Sequence, residues 1–394
     1  MSTERRLDDL GEGPVTTEAI SVVMAQAVPR RVAVLGAGSW GTTFAKVLAE
    51  GGADVVLWAR RPELAREITE SRRNSDYLPG IDLPRTLRAD PSVAAVLDGA
   101  EQVYVSVPSQ TLRGNLAAIR GLVPHGVPVV SLMKGVERAT GLRMSEVVEQ
   151  ELDIDPDLVA VASGPNLALE IAKRQPTAAV VSSRSLETAT TVAATATNPY
   201  FRSFVNTDVI GTEFGGVLKN LIAVAIGIVD GVGYGENTKA SIITRGLVEM
   251  TDFAVAYGGH PETLSGLAGL GDLIATSGSS LSRNNTAGRL LGQGYSFADV
   301  VKSMQQTAEG LASVAPVLTL AEAKGVDMPI CRQVSQVLAG TLDPRDIAPH
   351  LTTDDDSGPQ GERTLDAKQD HGGGAVRRAL QRALDQLRHG RRGA

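Results

Sequence analysis

The sequence predicts an α/β chain in which an N-terminal doubly wound parallel sheet is followed by an all-helical C-terminal domain, and three observations lead there. First, Arg31-Val-Ala-Val-Leu-Gly36 is a short apolar run that stops at glycine, a helical stretch follows from Trp40 to Glu50, and Asp54-Val-Val-Leu-Trp58 supplies a second strand. Gly51 and Gly52 close the intervening helix, because glycine reaches the left-handed backbone of a helix C-terminus without steric cost. Second, strand-like runs recur at Gln102 to Val107, Pro128 to Leu132, Leu158 to Ala162 and Thr177 to Val181, separated by helix-compatible segments. Alternation of this kind builds parallel β-α-β units. Third, the texture changes near Gly211, after which Val217 to Val229, Ser241 to Tyr257 and Ala308 to Lys324 are long, rich in Ala, Leu and Val, and punctuated by glycine.

These observations divide the chain into a flexible N-terminal extension over 1–28, a sheet domain over 29–210, a helical domain over 211–342 and a flexible C-terminal tail over 343–394. A length of 394 residues exceeds what one hydrophobic core usually supports, so two ordered domains are expected. The ends lack periodic apolar patterning, and the tail carries Asp354-Asp-Asp356 and Gly372-Gly-Gly374 before a basic Ala/Leu/Arg ending. Hydrophobic residues at 42% and charged residues at 21% are ordinary for a globular chain.

A formal net charge of -7, with no long basic run before the extreme C-terminus, argues against a nucleic-acid partner. Cys331 is the only cysteine, so no intramolecular disulfide can form. No Cys/His cluster has zinc-ligand spacing, so no metal is expected, and a reducing cytoplasm fits. The short apolar stretch from Ala19 to Val28 follows Glu4, Asp8, Asp9, Glu12 and Glu18, whereas a secretion signal has a basic front end. The stretch from Leu221 to Val229 is bracketed by Lys219 and Asp230 and falls short of the ~20 residues a bilayer requires, so it is expected to be a buried helix rather than a membrane span.

Gly36-Ala-Gly38-Ser39-Trp40-Gly41 matches G-x-G-x-x-G in the strand-to-helix context that a dinucleotide-binding, Rossmann-type turn demands. Gly36 permits the tight turn, Gly38 lets the backbone approach a pyrophosphate, and Gly41 allows close helix-strand packing, with the helix N-terminus offering amide donors. An acidic residue at the end of the second strand would bond the ribose 2′-hydroxyl of NAD(H). Arg60 and Arg61 stand there instead, and guanidinium groups suit a 2′-phosphate, so NADP(H) is favoured with NAD(H) as the alternative.

Further segments, in order along the chain, are Val107-Pro-Ser109, Ser131-Leu-Met-Lys134-Gly135, Ser163-Gly164-Pro-Asn166-Leu-Ala168-Leu-Glu170, Leu218-Lys219-Asn220, Gly269-Leu-Gly-Asp272-Leu-Ile-Ala-Thr276, Ser282-Arg283-Asn284 and Ala308-Glu309-Gly310. Together they resemble the bacterial glycerol-3-phosphate dehydrogenases over roughly Arg30 to Leu342. The resemblance implies a Rossmann domain and a helical domain closing over dihydroxyacetone phosphate, reversible NAD(P)-dependent oxidoreduction with sn-glycerol 3-phosphate, and a role in supplying phospholipid synthesis. It implies substrate contacts at Lys134, Gly164, Asn166, Lys219, Asn220, Asp272, Thr276, Ser282, Arg283 and Asn284. Asn166 stands where many bacterial relatives have Thr or Ser. Ser39, Trp40, Lys134, Ala168, Arg283, Thr307 and Glu309 join the three glycines and two arginines as implied cofactor contacts, and a homodimer is the expected assembly.

Reducing a ketone with hydride develops negative charge on its oxygen, so a proton donor is needed within hydrogen-bond reach. Lys219 is the candidate, because it lies in an apolar helical stretch where desolvation and a second cation such as Lys134 would lower its pKa. The resemblance gives Asp272 the role of orienting Lys219 or a substrate hydroxyl. Ser282, Arg283 and Asn284 offer a hydroxyl, a forked guanidinium and an amide together, which suits a phosphate dianion. Two alternatives stand beside this expectation: a related hydroxy-acid dehydrogenase of the same architecture, and a catalytically silent NADP(H)-binding sensor.

Overall fold

The computed structural model describes residues 31–304 and 309–347. Its strands are β1 Arg31–Leu35, β2 Asp54–Trp58, β3 Leu87–Asp90, β4 Gln102–Val105, β5 Val129–Ser131, β6 Val159–Ser163, β7 Thr177–Ser183 and β8 Phe201–Asn206. They form one sheet in the order β3-β2-β1-β4-β5-β6-β7-β8. Val32 to Leu35 and Val103 to Val105 are buried on both faces, as expected of strands covered by helices on either side. The strand order reverses between β1 and β4, the crevice where doubly wound sheets bind ligands.

The expected parallel sheet holds for every pairing but one: β7 pairs antiparallel with β6, and β8 runs parallel to β7. Only Ala168–Ala172 is helical between β6 and β7. One short helix of roughly 7 Å cannot carry the chain back past the sheet, so the next strand starts from the edge where β6 ends. Two strands also lie where no strand was expected, at Leu87–Asp90 and Phe201–Asn206, and both form edges of the sheet. An edge strand is half exposed, so Arg88, Arg202 and Phe204 lie on its open side and dilute the apolar signal.

The helices include α1 Ser39–Glu50, α2 Met144–Leu152, α3 Val209–Val232, α4 Glu236–Ala256, α5 Asp272–Gly278, α6 Arg283–Gly292, α7 Glu309–Lys324 and α8 Pro329–Leu338, of which α1, α3, α5, α6 and α7 reach the cleft described below. Helix α3 starts at Asp208, whose carboxylate accepts from the Gly211 amide at 2.8 Å, and stops at Gly233 with φ 95°. It is long and apolar enough to cross a bilayer, but it is buried in protein from Gly211 through Val229. The core of the helical half therefore forms around α3, with Phe214, Leu221, Ile222 and Ile228 fully or almost fully covered.

Helix α6 crosses α3 with backbones in contact. A Cβ at Gly227 would lie 2.2 Å from the Asn285 carbonyl oxygen, and one at Gly288 would lie 2.1 Å from that of Val224. Only glycine allows so close an approach, and the crossing sets Arg283 and Asn284 relative to Lys219 and Asn220. Packing also runs past the expected start of the tail: Ile347 is buried in the helical core, and the Tyr234 hydroxyl donates to the Arg345 carbonyl at 2.9 Å. The expectations for 1–28 and for the chain beyond 347 lie outside the described residues.

Candidate active site

A cleft of about 1310 Å³ opens where the C-terminal ends of β1, β4, β5 and β6 meet α3, α5 and α6. Gly38, Ser39 and Trp40 line it from the turn after β1. Gly36 has φ 117°, and a Cβ there would sit 2.2 Å from the Ser106 carbonyl oxygen. A Cβ at Gly41 would sit 2.0 Å from the Gly36 carbonyl oxygen. These two glycines are therefore required by the turn and by the packing of α1, and they lie behind the cleft surface. At Gly38 a Cβ would meet nothing within 4 Å, so its glycine answers to open space on the cleft side.

The polar groups on this side also fit a dinucleotide. Among the described residues, Trp40 Nε1 and both side-chain polar atoms of Asn166 are buried without a hydrogen-bond partner, although Trp40 and Asn166 line the cleft. Unpaired buried polar atoms are rare in a folded protein, and a polar ligand in the cleft is one way to satisfy them. Arg60 and Arg61 follow β2 and do not line the cleft. Arg61 pairs with Asp76 at 2.6 Å and lies 5.9 Å over the Tyr77 ring, and Tyr77 is a cleft residue.

At the floor, Lys134 from the loop after β5 and Lys219 from α3 converge on one carboxylate. Lys134 Nζ donates to Asp272 Oδ2 at 2.5 Å and to the Gly164 carbonyl at 3.0 Å. Lys219 Nζ lies 3.0 Å from Asp272 Oδ1 and donates to Thr276 Oγ1 at 2.6 Å, while Thr276 donates to Asp272 Oδ1 at 3.2 Å. Asp272, 1% exposed, lies behind the lysines, which face the cleft. A π-helical turn, Leu267–Gly271, delivers Asp272, and Gly215 of α3 packs on it so closely that a Cβ would stand 2.6 Å from the Ala268 carbonyl oxygen.

Burial pulls the Lys219 ammonium down to about 8, Asp272 opposes that shift, and Lys134 adds to it. Two cations sharing one anion leave a net positive charge at the floor. The remaining wall is polar. Asn284 Nδ2 donates to Asn220 Oδ1 at 2.8 Å, and Asn284 Oδ1 accepts from the Gly310 amide at 3.0 Å. Ser282 caps α6 by accepting from the Asn285 amide at 3.2 Å, and Arg283 opens that helix beside it. Burial pushes the Glu309 carboxyl up, opposed by Arg283, the Ser109 amide and both lysines. Glu309 thus belongs to the same electrostatic cluster.

Most of the expected site residues come together: Lys134, Asn166 and Ala168 on the sheet side, Lys219, Asn220 and Thr276 at the floor, and Ser282, Arg283, Asn284 and Glu309 opposite. Gly164 contributes through its carbonyl and Asp272 from behind the lysines. Thr307 lies outside the described residues. The expectations omitted the wall formed by Tyr77, Leu78 and Pro79. Its sequence, Asn74-Ser-Asp-Tyr-Leu-Pro-Gly80, carries the signature of a turn and none of chemistry.

Residues 31–189 match the family model described as the NAD-dependent glycerol-3-phosphate dehydrogenase N-terminus, and residues 208–349 match that of its C-terminus. The chain is 74% identical to glycerol-3-phosphate dehydrogenase [NAD(P)+] of Leifsonia xyli subsp. xyli, over 91% of this chain and 98% of that protein. It is 52% identical to the enzyme of that name from Frankia casuarinae, over 82% and 96% of the two chains. A crystal structure of glycerol-3-phosphate dehydrogenase from Coxiella burnetii superposes with a TM-score of 0.78 at 36% identity, covering 82% of this chain and 99% of that one.

Proposed function

The chain belongs to the NAD-dependent glycerol-3-phosphate dehydrogenase family, and from that premise we propose how its residues divide the reversible NAD(P)-dependent conversion of dihydroxyacetone phosphate and sn-glycerol 3-phosphate. The observation that carries the assignment is the convergence of Lys219, Lys134 and Thr276 on the buried Asp272 at the cleft floor. The bound nicotinamide supplies or accepts the hydride.

Lys219 gives its proton to the ketone oxygen as negative charge develops there, and in the opposite direction its neutral form takes the hydroxyl proton. A pKa of about 8 keeps both forms populated near neutral pH. Reduction therefore weakens as pH rises through about 8, and oxidation strengthens over the same range. Asp272 and Thr276 hold the ammonium in place. Lys134 adds a second positive charge for the substrate, and the carbonyl of Gly164 orients it.

Arg283, Ser282 and the Asn220–Asn284 amide pair form the phosphate end, where the first turn of α6 presents amide donors and the positive end of its dipole. Asn166, with an unpartnered amide, is a further substrate contact. Gly36, Gly38, Ser39, Trp40, Gly41, Ala168 and Glu309 form the cofactor side, with Lys134 and Arg283 touching both ligands. Residues 29–210 then serve as the nucleotide-binding domain and 211–342 as the substrate domain. NADP(H) preference rests on Arg60 and Arg61, of which Arg61 is held against the cleft residue Tyr77. A homodimer in a reducing cytoplasm, feeding phospholipid synthesis, completes the proposal.

The test is consumption of NADPH, followed at the nicotinamide absorbance band, with dihydroxyacetone phosphate as substrate. Turnover with the phosphorylated ketone and little with dihydroxyacetone is the expected outcome. Equal turnover of the two, or faster turnover of a 2-oxo acid, would refute the phosphate assignment. Light scattering tests the dimer.

A further inference from the structure

Asn74 is fully buried and lies beyond the fingerprint in sequence, yet the hydrogen bonds of its side chain go to the turn after β1, the first turn of α1 and the wall beside them. Its Nδ2 donates to the Ala37 carbonyl at 3.0 Å and to Thr42 Oγ1 at 2.8 Å. Its Oδ1 accepts from the Tyr77 amide at 3.3 Å, and its own carbonyl accepts from the Leu78 amide at 2.8 Å. Ser39 adds a second tie, its hydroxyl donating to the Tyr77 carbonyl at 2.6 Å.

Building on the nucleotide site proposed above, we infer that Asn74 is a positioning residue for the dinucleotide, acting on two surfaces at once. Ala37 sits between Gly36 and Gly38, and no peptide bond among the described residues is cis. In a planar trans peptide the C=O and the next N–H point in opposite directions. By holding the Ala37 carbonyl, Asn74 fixes the Gly38 amide on the other side of that peptide, at the residue where the cleft side is open. By holding the Tyr77 amide and the turn after it, Asn74 also sets Tyr77, Leu78 and Pro79 as the facing wall.

Because both surfaces are common to NADPH and NADH, the signature differs from that of a 2′-phosphate contact. Asn74→Ala is expected to raise the Kd of NADPH and of NADH by the same factor, about tenfold, the equivalent of one buried hydrogen bond lost. Turnover at saturating cofactor should stay within about twofold, since Asn74 does not reach the reacting atoms. Fluorescence titration of the full chain reads the Kd without requiring turnover, and the thermal midpoint without nucleotide reads any structural effect separately.

Thr42 supplies an arm that opens no cavity: Thr42→Val removes one acceptor and should raise both Kd values about threefold, while Thr42→Ser should leave them unchanged. A lower thermal midpoint with unchanged Kd values would overturn the inference in favour of a purely structural residue. A loss confined to NADPH would overturn it in favour of a 2′-phosphate effect. If Asn74→Ala does not fold, unchanged binding by Thr42→Val is the overturning result. If the unmodified chain binds neither nucleotide, the underlying cofactor assignment fails first.

Discussion

At Gly38, on the sheet side of the cleft, an added Cβ would meet nothing within 4 Å, whereas at Gly227, Gly231, Gly288 and Gly292 on the helical side it would meet a backbone carbonyl oxygen at 2.1 to 2.2 Å. Glycine therefore has two uses here. In the first it leaves open space on the cleft side, where the cofactor is proposed to bind. In the second it lets α3 and α6 touch, and its cost falls on folding. On the sheet side Gly36 and Gly41 also meet backbone, and Gly38 alone of the three fingerprint glycines faces open space. The helical half uses these glycines to set distances among its own residues, and Lys219 and Arg283 inherit those distances.

The most forceful separation of the two halves is Lys219→Ala. Turnover should fall by about 100-fold or more, the usual contribution of a general acid, while the Kd of NADPH stays close to that of the unmodified chain. Retention of more than about a tenth of normal turnover would move proton donation to another group, with Lys134 next in line. On the sheet side, Arg60→Asp and Arg61→Asp should weaken NADPH binding by about tenfold or more with little effect on NADH, as expected for lost charged hydrogen bonds. Equal Michaelis constants for the two cofactors in the unmodified chain would remove the basis for that expectation.

The glycine contrast can be tested directly. Gly288→Ala should destabilise the chain by about 1 to 3 kcal/mol, because overpacking against backbone outweighs the ~1 kcal/mol that alanine gains over glycine within a helix. Gly38→Ala should leave the thermal midpoint unchanged and weaken both cofactors. A reversal of these outcomes would break the comparison.

The smallest expected effect concerns Glu249 of α4, whose carboxylate accepts from the Ile330 amide at 2.6 Å at the start of α8. Burial pushes its pKa up to about 8, so the folded state holds a proton that an unfolded carboxylate would release near 4.5. Its contribution to stability is thus fully present below that lower value and is lost as pH rises through about 8. Glu249→Gln should reduce the decline of the thermal midpoint between about pH 5 and 8 by a few degrees, and an unchanged decline would assign it to other groups.

The sheet side of the site was the more legible in the sequence, because a fingerprint turn is contiguous and each glycine has a local reason. Lys219 was legible as a cation within an apolar run, and its partnership with Lys134 and Asp272 came from family resemblance, since those residues are far apart in sequence. The reversal at β7 was not legible, because a short helix between two apolar strands has the same pattern in either direction. Nor was Asn74, a polar residue in a turn-like segment whose partners are backbone groups that no side-chain pattern marks. Nor was the packing of Ile347, past the expected start of the tail, because it follows a polar turn at Pro344–Asp346.

The reversal between β6 and β7 also makes the sheet a ruler. Ser182 of β7 pairs with Val161 of β6 and with Asn206 of β8, so β8 runs toward the edge opposite the fingerprint turn, and α3 begins there at Val209. Helix α3 must climb back to bring Lys219 to Lys134 beyond the end of β5. The segment from Val209 to Lys219 rises about 15 Å at 1.5 Å per residue, close to the ~17 Å height of a five-residue strand. The lead-in of the helix and the height of the strands are thus one length measured twice. A residue inserted between Val209 and Leu218 would turn Lys219 by about 100° and point it away from Asp272. Insertions in the loops at either edge would leave that length intact.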